Sequence, residues 1–400
     1  MNRNLAVLAM IVFIDTAGIG LIVPVMPSLI HGLTGEGIGH AAEIGGWLLF
    51  AYAAMQFLFA PVIGGLSDRF GRRPVLLATL ALLGVDYALM AFAPTLAWLF
   101  AGRLISGVMG ASWAAANSCI ADSIPPDRRG AAFGLLGAAG AAGFVLGPAI
   151  GGLAGQFGDR VPFVVAAALC IGGTAIGLAL FRETLPASRR RPFDPLRANP
   201  LGSMARMARV PVVLGCLITV FFMQLASQAQ LSVWAYYGTA SFGWSPLVIG
   251  MTVTFFGLLL GLAQGVFAGR AIARFGPVRT ATISLMFGVP CFLLLAFAPT
   301  TGVAIAGIVV GSVTGLCFPA MQQLMSARTE EDAQGELQGA IASTISLTAI
   351  IGPPMMTGVF ARYADAEGPY FPGAPFILSM ILIAVAAIIL TVTLHRHAGD

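Results

Sequence analysis

The sequence predicts an all-α integral membrane protein with twelve transmembrane helices in two pseudo-symmetric six-helix bundles. Three observations carry this expectation: a composition poor in charge, apolar runs of bilayer length, and a chain that aligns with itself at one offset. Of the 400 residues, 58% are hydrophobic and 10% charged, and the mean hydropathy is +0.90. A soluble domain carries roughly 25% charged residues, so this chain cannot supply a water-facing surface. Its fifty glycines suit a membrane bundle, where small residues let backbones approach closely.

Read as spans of about 20 residues each, the apolar runs fall at about 5–29, 45–66, 74–93, 96–121, 131–155, 161–181, 210–236, 247–268, 278–297, 300–325, 338–361 and 374–394. The first of these carries Asp15 in its middle and exceeds the apolar core of a signal peptide, so it reads as a retained helix. All 21 basic residues are arginine. Arg160 and Arg362 follow spans five and eleven, and Arg103 lies within span four. The others sit at the termini or in loops after even-numbered spans. By the positive-inside rule both termini are then cytoplasmic. The basic pI of about 9.0 reflects topology, and no basic stripe with interleaved aromatics suggests nucleic acid. The five cysteines fall in or at the ends of spans and indicate neither a disulfide framework nor a metal site.

An offset of 205 residues carries Gly64 onto Gly269, Arg69-Phe70-Gly71 onto Arg274-Phe275-Gly276, and Ala91-Phe92-Ala93-Pro94-Thr95 onto Ala296-Phe297-Ala298-Pro299-Thr300. Gly147-Pro148 meets Gly352-Pro353. Each half therefore holds six helices in the same orientation. Parallel repeats of this kind are a transporter architecture with the substrate site between the halves. The expected division is an N-terminal bundle at 1–181, a basic, proline-containing linker at 182–209, and a C-terminal bundle at 210–400.

The stretch Gly64-Gly65-Leu66-Ser67-Asp68-Arg69-Phe70-Gly71-Arg72-Arg73-Pro74, between spans two and three, resembles the loop signature of the major facilitator superfamily. Glycines permit a tight turn, Asp68 can oppose a helix N-terminal dipole, and the arginines can anchor to anionic lipid or carboxylates. Gly64, Asp68, Arg69, Gly71, Arg72 and Arg73 thus form a candidate conformational latch, though a merely topogenic basic loop has the same composition. The second copy carries Ala273 where the first has Asp68. Gly143, Gly147, Pro148, Gly151 and Gly152 in span five are similar to that superfamily's antiporter signature. Glycines four apart give a flat face and proline bends the helix; ordinary tight glycine packing is the competing explanation.

Closer resemblance, to the tetracycline/proton antiporters of that superfamily, lies in Ile14 to Pro27, in Ser67 to Leu77, and in Gln334 to Gly339 running on into Ser346 to Pro353. It extends over nearly the whole chain, including Phe221 to Trp234. The resemblance implies a twelve-helix drug exporter driven by the proton gradient, with no cofactor. Those antiporters commonly carry a histidine in span eight and a further aspartate in span nine. Here nothing acidic lies between Asp194 and Glu330, and those two spans hold no histidine.

Ionisable groups at bilayer depth are expensive and by default functional. At 1.5 Å per residue, Asp15 lies about 15 Å deep, Asp86 about 18 Å and Arg103 about 10 Å from the opposite side. Asp15, Asp86 and Arg103 are therefore the candidate proton-coupling residues. Burial disfavours a charged carboxylate and a neighbouring arginine favours it, so an arginine that moves can load and release a proton. A static pair locking spans one, three and four together is the alternative. Gln56, Asn117, Gln224, Gln228, Trp234 and Gln322 are candidate substrate contacts, each equally suited to an interhelical hydrogen bond.

These features describe a secondary transporter of the inner membrane that exports an amphiphilic drug, tetracycline-like or other, in exchange for protons by alternating access. Its partners are the small substrate, protons and the lipid bilayer, with no nucleic acid and no obligate protein. A proton-coupled importer of a small metabolite is the alternative. An enzyme is not expected: the chain has no HExxH, no GxSxG elbow and no phosphate-binding loop.

Overall fold

The computed structural model describes residues 3–110, 112–190, 207, 210–330, 333–364 and 369–396. Among these residues every regular element is helical. Ten stretches are long and apolar enough to cross a bilayer. One of them, Pro246–Ala296, is two spans joined at Gly276, whose φ of 77° breaks the helix. Leu96–Met109 and Ser112–Ser123 are each short, but together they cover the fourth expected span, interrupted at Gly110. Twelve spans result.

Spans one to six are Arg3–Thr34, Ile38–Phe70, Arg72–Ala91, Leu96–Met109 with Ser112–Ser123, Pro126–Gly155 and Val161–Leu180. Spans seven to twelve are Pro211–Ser232 with Trp234–Phe242, then 246–276, 277–296, Thr301–Ser326, Gln334–Ala364 and Ala374–Arg396. Pro24 and Pro27 put a single 3-10 turn, Val23–Val25, into span one, as expected where proline removes a helical hydrogen bond. Of the linker at 182–209, residues 191–206, 208 and 209 lie outside the described residues.

The backbone forms two compact units. One comprises Met1–Glu36, Ala51–Ala198 and Trp244–Phe255; the other comprises Gly37–Phe50, Asn199–Gly243 and Phe256–Asp400. In the first, span one packs on span five and span three on span six. In the second, span seven packs on span eleven and span nine on span twelve. These pairings are equivalent under the sequence repeat.

The repeat also holds at the level of single dihedrals. Gly71 has φ 107°, ψ 156° and Gly276 has φ 77°, ψ 161°, a region only glycine occupies without strain. Before each glycine an arginine stacks on the intervening phenylalanine, Arg69 at 5.1 Å from the Phe70 ring centre and Arg274 at 5.6 Å from Phe275. At the other repeated turn, Thr95 (φ −144°, ψ 162°) matches Thr300 (φ −143°, ψ 156°), each heading the next helix. Identical short motifs have specified identical turns.

Candidate functional site

The three charges expected at depth are buried in the first unit: Asp15 is 3% exposed, Asp86 1% and Arg103 5%. The Arg103 guanidinium lies 5.9 Å from the Tyr52 ring centre and 6.0 Å from that of Tyr87. Its Nη2 also reaches the Met90 sulfur at 3.2 Å. Aromatic faces attract a desolvated cation through their quadrupole, so these rings hold the guanidinium in a site largely closed to solvent. Asp86 is an electrostatic neighbour of Arg103. Both of its oxygens are covered, and neither accepts a hydrogen bond from the described residues. Ser106 is within reach of that carboxylate, but its hydroxyl donates to the Gly102 carbonyl at 2.7 Å.

Asp15 is in electrostatic range of the Tyr52 and Tyr87 hydroxyls and of Cys170. Gly18 lies three residues further on, and a Cβ there would meet the Tyr87 hydroxyl at 2.8 Å. The glycine thus lets span three carry its tyrosine against span one. Gln56 joins the same assembly: its Nε2 donates to the Gly110 carbonyl at 2.8 Å and to the Tyr52 hydroxyl at 3.3 Å. Tyr52, Tyr87, Met90 and Ser106 are absent from the sequence reading. For three of them a signal existed. Tyr52 precedes Gln56 by four residues, Met90 follows Asp86 by four, and Ser106 follows Arg103 by three, the spacings that share a helix face.

At the end of span two, the loop signature is a closed ionic network. Arg72, 7% exposed, pairs with Asp68 one turn earlier; its Nε donates to Asp122 Oδ2 at 2.9 Å and its Nη1 to Ser67 Oγ at 3.2 Å. The backbone N–H groups of Arg72 and Arg73 donate to the Glu183 carboxylate at 2.9 and 3.3 Å. That carboxylate caps the first turn of span three, where backbone donors are otherwise unmatched. Arg73 also donates to the Leu178 carbonyl at 2.7 Å. Gly64 has open space around its Cα. Neither Asp122 nor Glu183 belongs to the loop signature, and only the chain's return brings them there.

Span five is gripped on two faces within the same unit. Cβ atoms on Gly143, Gly147 and Gly151 would strike, in turn, Thr16, the Ala17 carbonyl and the Leu21 carbonyl of span one. Gly152 faces Pro246 and Gly250, and the Pro148 carbonyl lies where a Cβ on Gly250 would point. Thr254 Oγ1 donates to the Val145 carbonyl at 2.7 Å, next to Phe144, whose carbonyl loses its helical donor to Pro148.

The remaining candidate contacts are dispersed. Asn117 is exposed, and Gln224 and Gln322 are half-buried in the second unit. Gln228 is buried, its side chain laid over Gly352. Trp234 is 4% exposed and packs among rings, 6.0 Å from Tyr237 and 6.3 Å from Phe376. Of the six, Gln56 hydrogen-bonds a residue that surrounds the buried charges, Tyr52.

A helical membrane bundle built from two repeats, with charges held at depth in one of them, is the framework of a secondary transporter. The chain belongs to the Major Facilitator Superfamily, whose sequence model matches residues 8–240 and 216–399. It is 40% identical over 369 residues to the class C tetracycline resistance protein of Escherichia coli, covering 91% of each chain. It is 36% identical to the class E protein of the same organism, over 98% of this chain and 95% of that one. Among solved structures, its fold is similar to a bacterial homolog of the human lysosomal transporter Spinster, with a TM-score of 0.80 at 15% identity over 97% and 96% of the two chains. The human organic anion transporter MFSD10 is similar at a TM-score of 0.68 and 22% identity, over 97% of this chain and 99% of that one.

Proposed function

We propose that this protein is a proton-coupled exporter of an amphiphilic drug, tetracyclines included as candidates, in the bacterial inner membrane with both termini cytoplasmic. The observation that carries the reading is the Asp86 carboxylate, fully covered, without a hydrogen bond among the described residues, and adjacent to Arg103. Removing a carboxylate from water without full compensation costs several kcal/mol, and such a group at bilayer depth marks a proton or ion path. Asp15 shares the same tyrosines. Spans seven to ten hold no acid at all, since none occurs between Asp194 and Glu330. With Glu336 confined to the first turn of span eleven, proton binding at depth falls to the first half. Tetracycline resistance is what the relatives are named for, at up to 40% identity, and it supports a drug as the exported species.

In this reading the moving bodies are the bundles 1–181 and 210–400, joined by the linker at 182–209. Asp68, Arg72 and the surrounding signature bias one orientation, and the span-five glycines allow the helix to slide on its neighbours. Gln56, Asn117, Gln224, Gln228, Trp234 and Gln322 contact the drug. No cofactor, nucleic acid or obligate protein partner enters the cycle, and no bond of the substrate is broken. The test is expression in an efflux-deficient bacterial host across a drug panel that includes tetracyclines, followed by transport in proteoliposomes under an imposed pH gradient. Export that survives collapse of that gradient, or accumulation of substrate in cells in place of depletion, would overturn the reading.

A further inference from the structure

Among the described residues, the second copy of the loop signature has no network like that around Arg72. The repeat puts Ala273 at the place of Asp68 and Ala327 at the place of Asp122, while Arg274 keeps the place of Arg69 and Arg270 takes that of Gly65. Two arginines remain with the acids removed. Arg270 donates only to the Val266 carbonyl of its own helix and Arg274 lies over Phe275; neither faces a carboxylate among the described residues. They are four residues apart and share one face. Exposed arginines at a span end are ordinarily topogenic. These two differ in what lies beneath them.

Between spans eight and ten, inside the second unit, runs a groove of about 490 Å³ that both arginines line. Its walls are apolar, from Leu259, Leu262, Val313 and Leu316. One π-turn, Ala263–Phe267, interrupts span eight beside it and leaves Phe267 56% exposed at the groove. Such insertions in a helix concentrate at functional sites. An apolar surface is unremarkable on a membrane protein. An apolar trough lined by two guanidiniums that face no carboxylate among the described residues is more selective, since a guanidinium binds phosphate oxygens in a fork and the trough excludes a ligand that is polar throughout.

We propose that this groove binds an anionic phospholipid, its phosphate held by Arg270 and Arg274 and the start of one acyl chain laid along Leu259, Leu262, Val313 and Leu316. The charge is one-sided: no acidic residue lies between Asp194 and Glu330, so the spans that form the groove offer these arginines no carboxylate. Basic pockets between transmembrane helices take anionic headgroups for the same reason.

The test is native mass spectrometry of the delipidated full chain titrated with phosphatidylglycerol, with phosphatidylcholine as the zwitterionic control. Each arginine near an anionic headgroup is worth about fivefold in affinity, so Arg270→Gln with Arg274→Gln should weaken phosphatidylglycerol binding about thirtyfold. Arg279→Gln, outside the groove, should change it less than twofold. Ser312→Trp keeps both arginines and fills the trough, and it too should weaken binding. Equal losses from Arg279→Gln and from the double variant would mean diffuse charge and overturn the site. So would phosphatidylcholine binding as tightly as phosphatidylglycerol. Displacement by millimolar inorganic phosphate, with Ser312→Trp indistinguishable from wild type, would leave an anion site and not a lipid site.

Discussion

Arg72 donates from Nε to Asp122 at 2.9 Å while its Nη1 pairs with Asp68, so one guanidinium ties the loop after span two to the end of span four. The proposed latch therefore includes Asp122 as well as Asp68. Hydrogen bonds to a charged group are worth about 1.5–3 kcal/mol, enough to move a balance between conformations tenfold or more. Asp68→Asn and Asp122→Asn should each abolish or strongly reduce drug export with near-normal expression. Placing Asp at Ala273 should not rescue Asp68→Asn, because that position has no counterpart of Arg72: the repeat puts Pro277 there. Normal efflux by well-expressed protein with both substitutions would remove the latch role.

Proton coupling is tested at Asp15 and Asp86. Asn keeps the side-chain size and cannot ionise, so at least one of Asp15→Asn and Asp86→Asn should stop uphill transport under a pH gradient. Counterflow without a gradient should survive in the same variant. Uphill transport at wild-type rates by both variants, measured in proteoliposomes, would place the coupling elsewhere.

Arg103 is held by two rings and a thioether. Arg103→Ala should abolish uphill transport, because it leaves buried carboxylates without their cation. Arg103→Lys should recover little of it. An ammonium is a compact point charge on a flexible stem and lacks the planar fork that lies by Tyr52, Tyr87 and Met90 together. Full recovery with lysine would show that charge alone suffices.

The span-five glycines give a packing prediction. Gly151→Leu puts a side chain where the Leu21 backbone already lies. Span one or span five must move, and overpacking of this kind costs about 1–3 kcal/mol or more. Gly137→Leu, at a position with open space, is the control. Thermal unfolding in detergent should fall for the first and stay near wild type for the second.

Glu183 is predicted to matter for local order and not for coupling. Its carboxylate accepts from the N–H groups of Arg72, Arg73, Thr184 and Leu185. Loss of a cap costs about 1 kcal/mol, so Glu183→Ala should speed amide exchange at the start of span three. Unchanged exchange there would mean that other groups satisfy those donors.

Much of this architecture was legible before any coordinates. Span length and the arginine pattern are one-dimensional quantities, and a twofold repeat is visible as RFG and AFAPT recurring at one offset. Depth along a helix follows from residue count, which is why Asp15, Asp86 and Arg103 could be singled out; that all three are buried depends on which helix face each occupies. Trp234 marks the boundary of this kind of reading. Its depth said only that it sits within span seven; the rings of Tyr237 and Phe376 show that its side chain is packed among aromatics.

By itself the sequence determined the helical class, the repeat, a glycine-permitted turn after span two, and how far along their spans the charges lie. Each of these depends on neighbours within a few residues or on counting along one helix. Only the tertiary structure decided which side chains meet: Tyr52 and Tyr87 flanking Arg103, Asp122 completing the Asp68–Arg72 pair, Glu183 capping span three from more than a hundred residues away, and an apolar trough under Arg270 and Arg274. Those contacts join segments far apart in the chain, and their partners depend on how one helix face is rotated against another. Packing of glycine-lined backbones sets that rotation, and no local spacing encodes it.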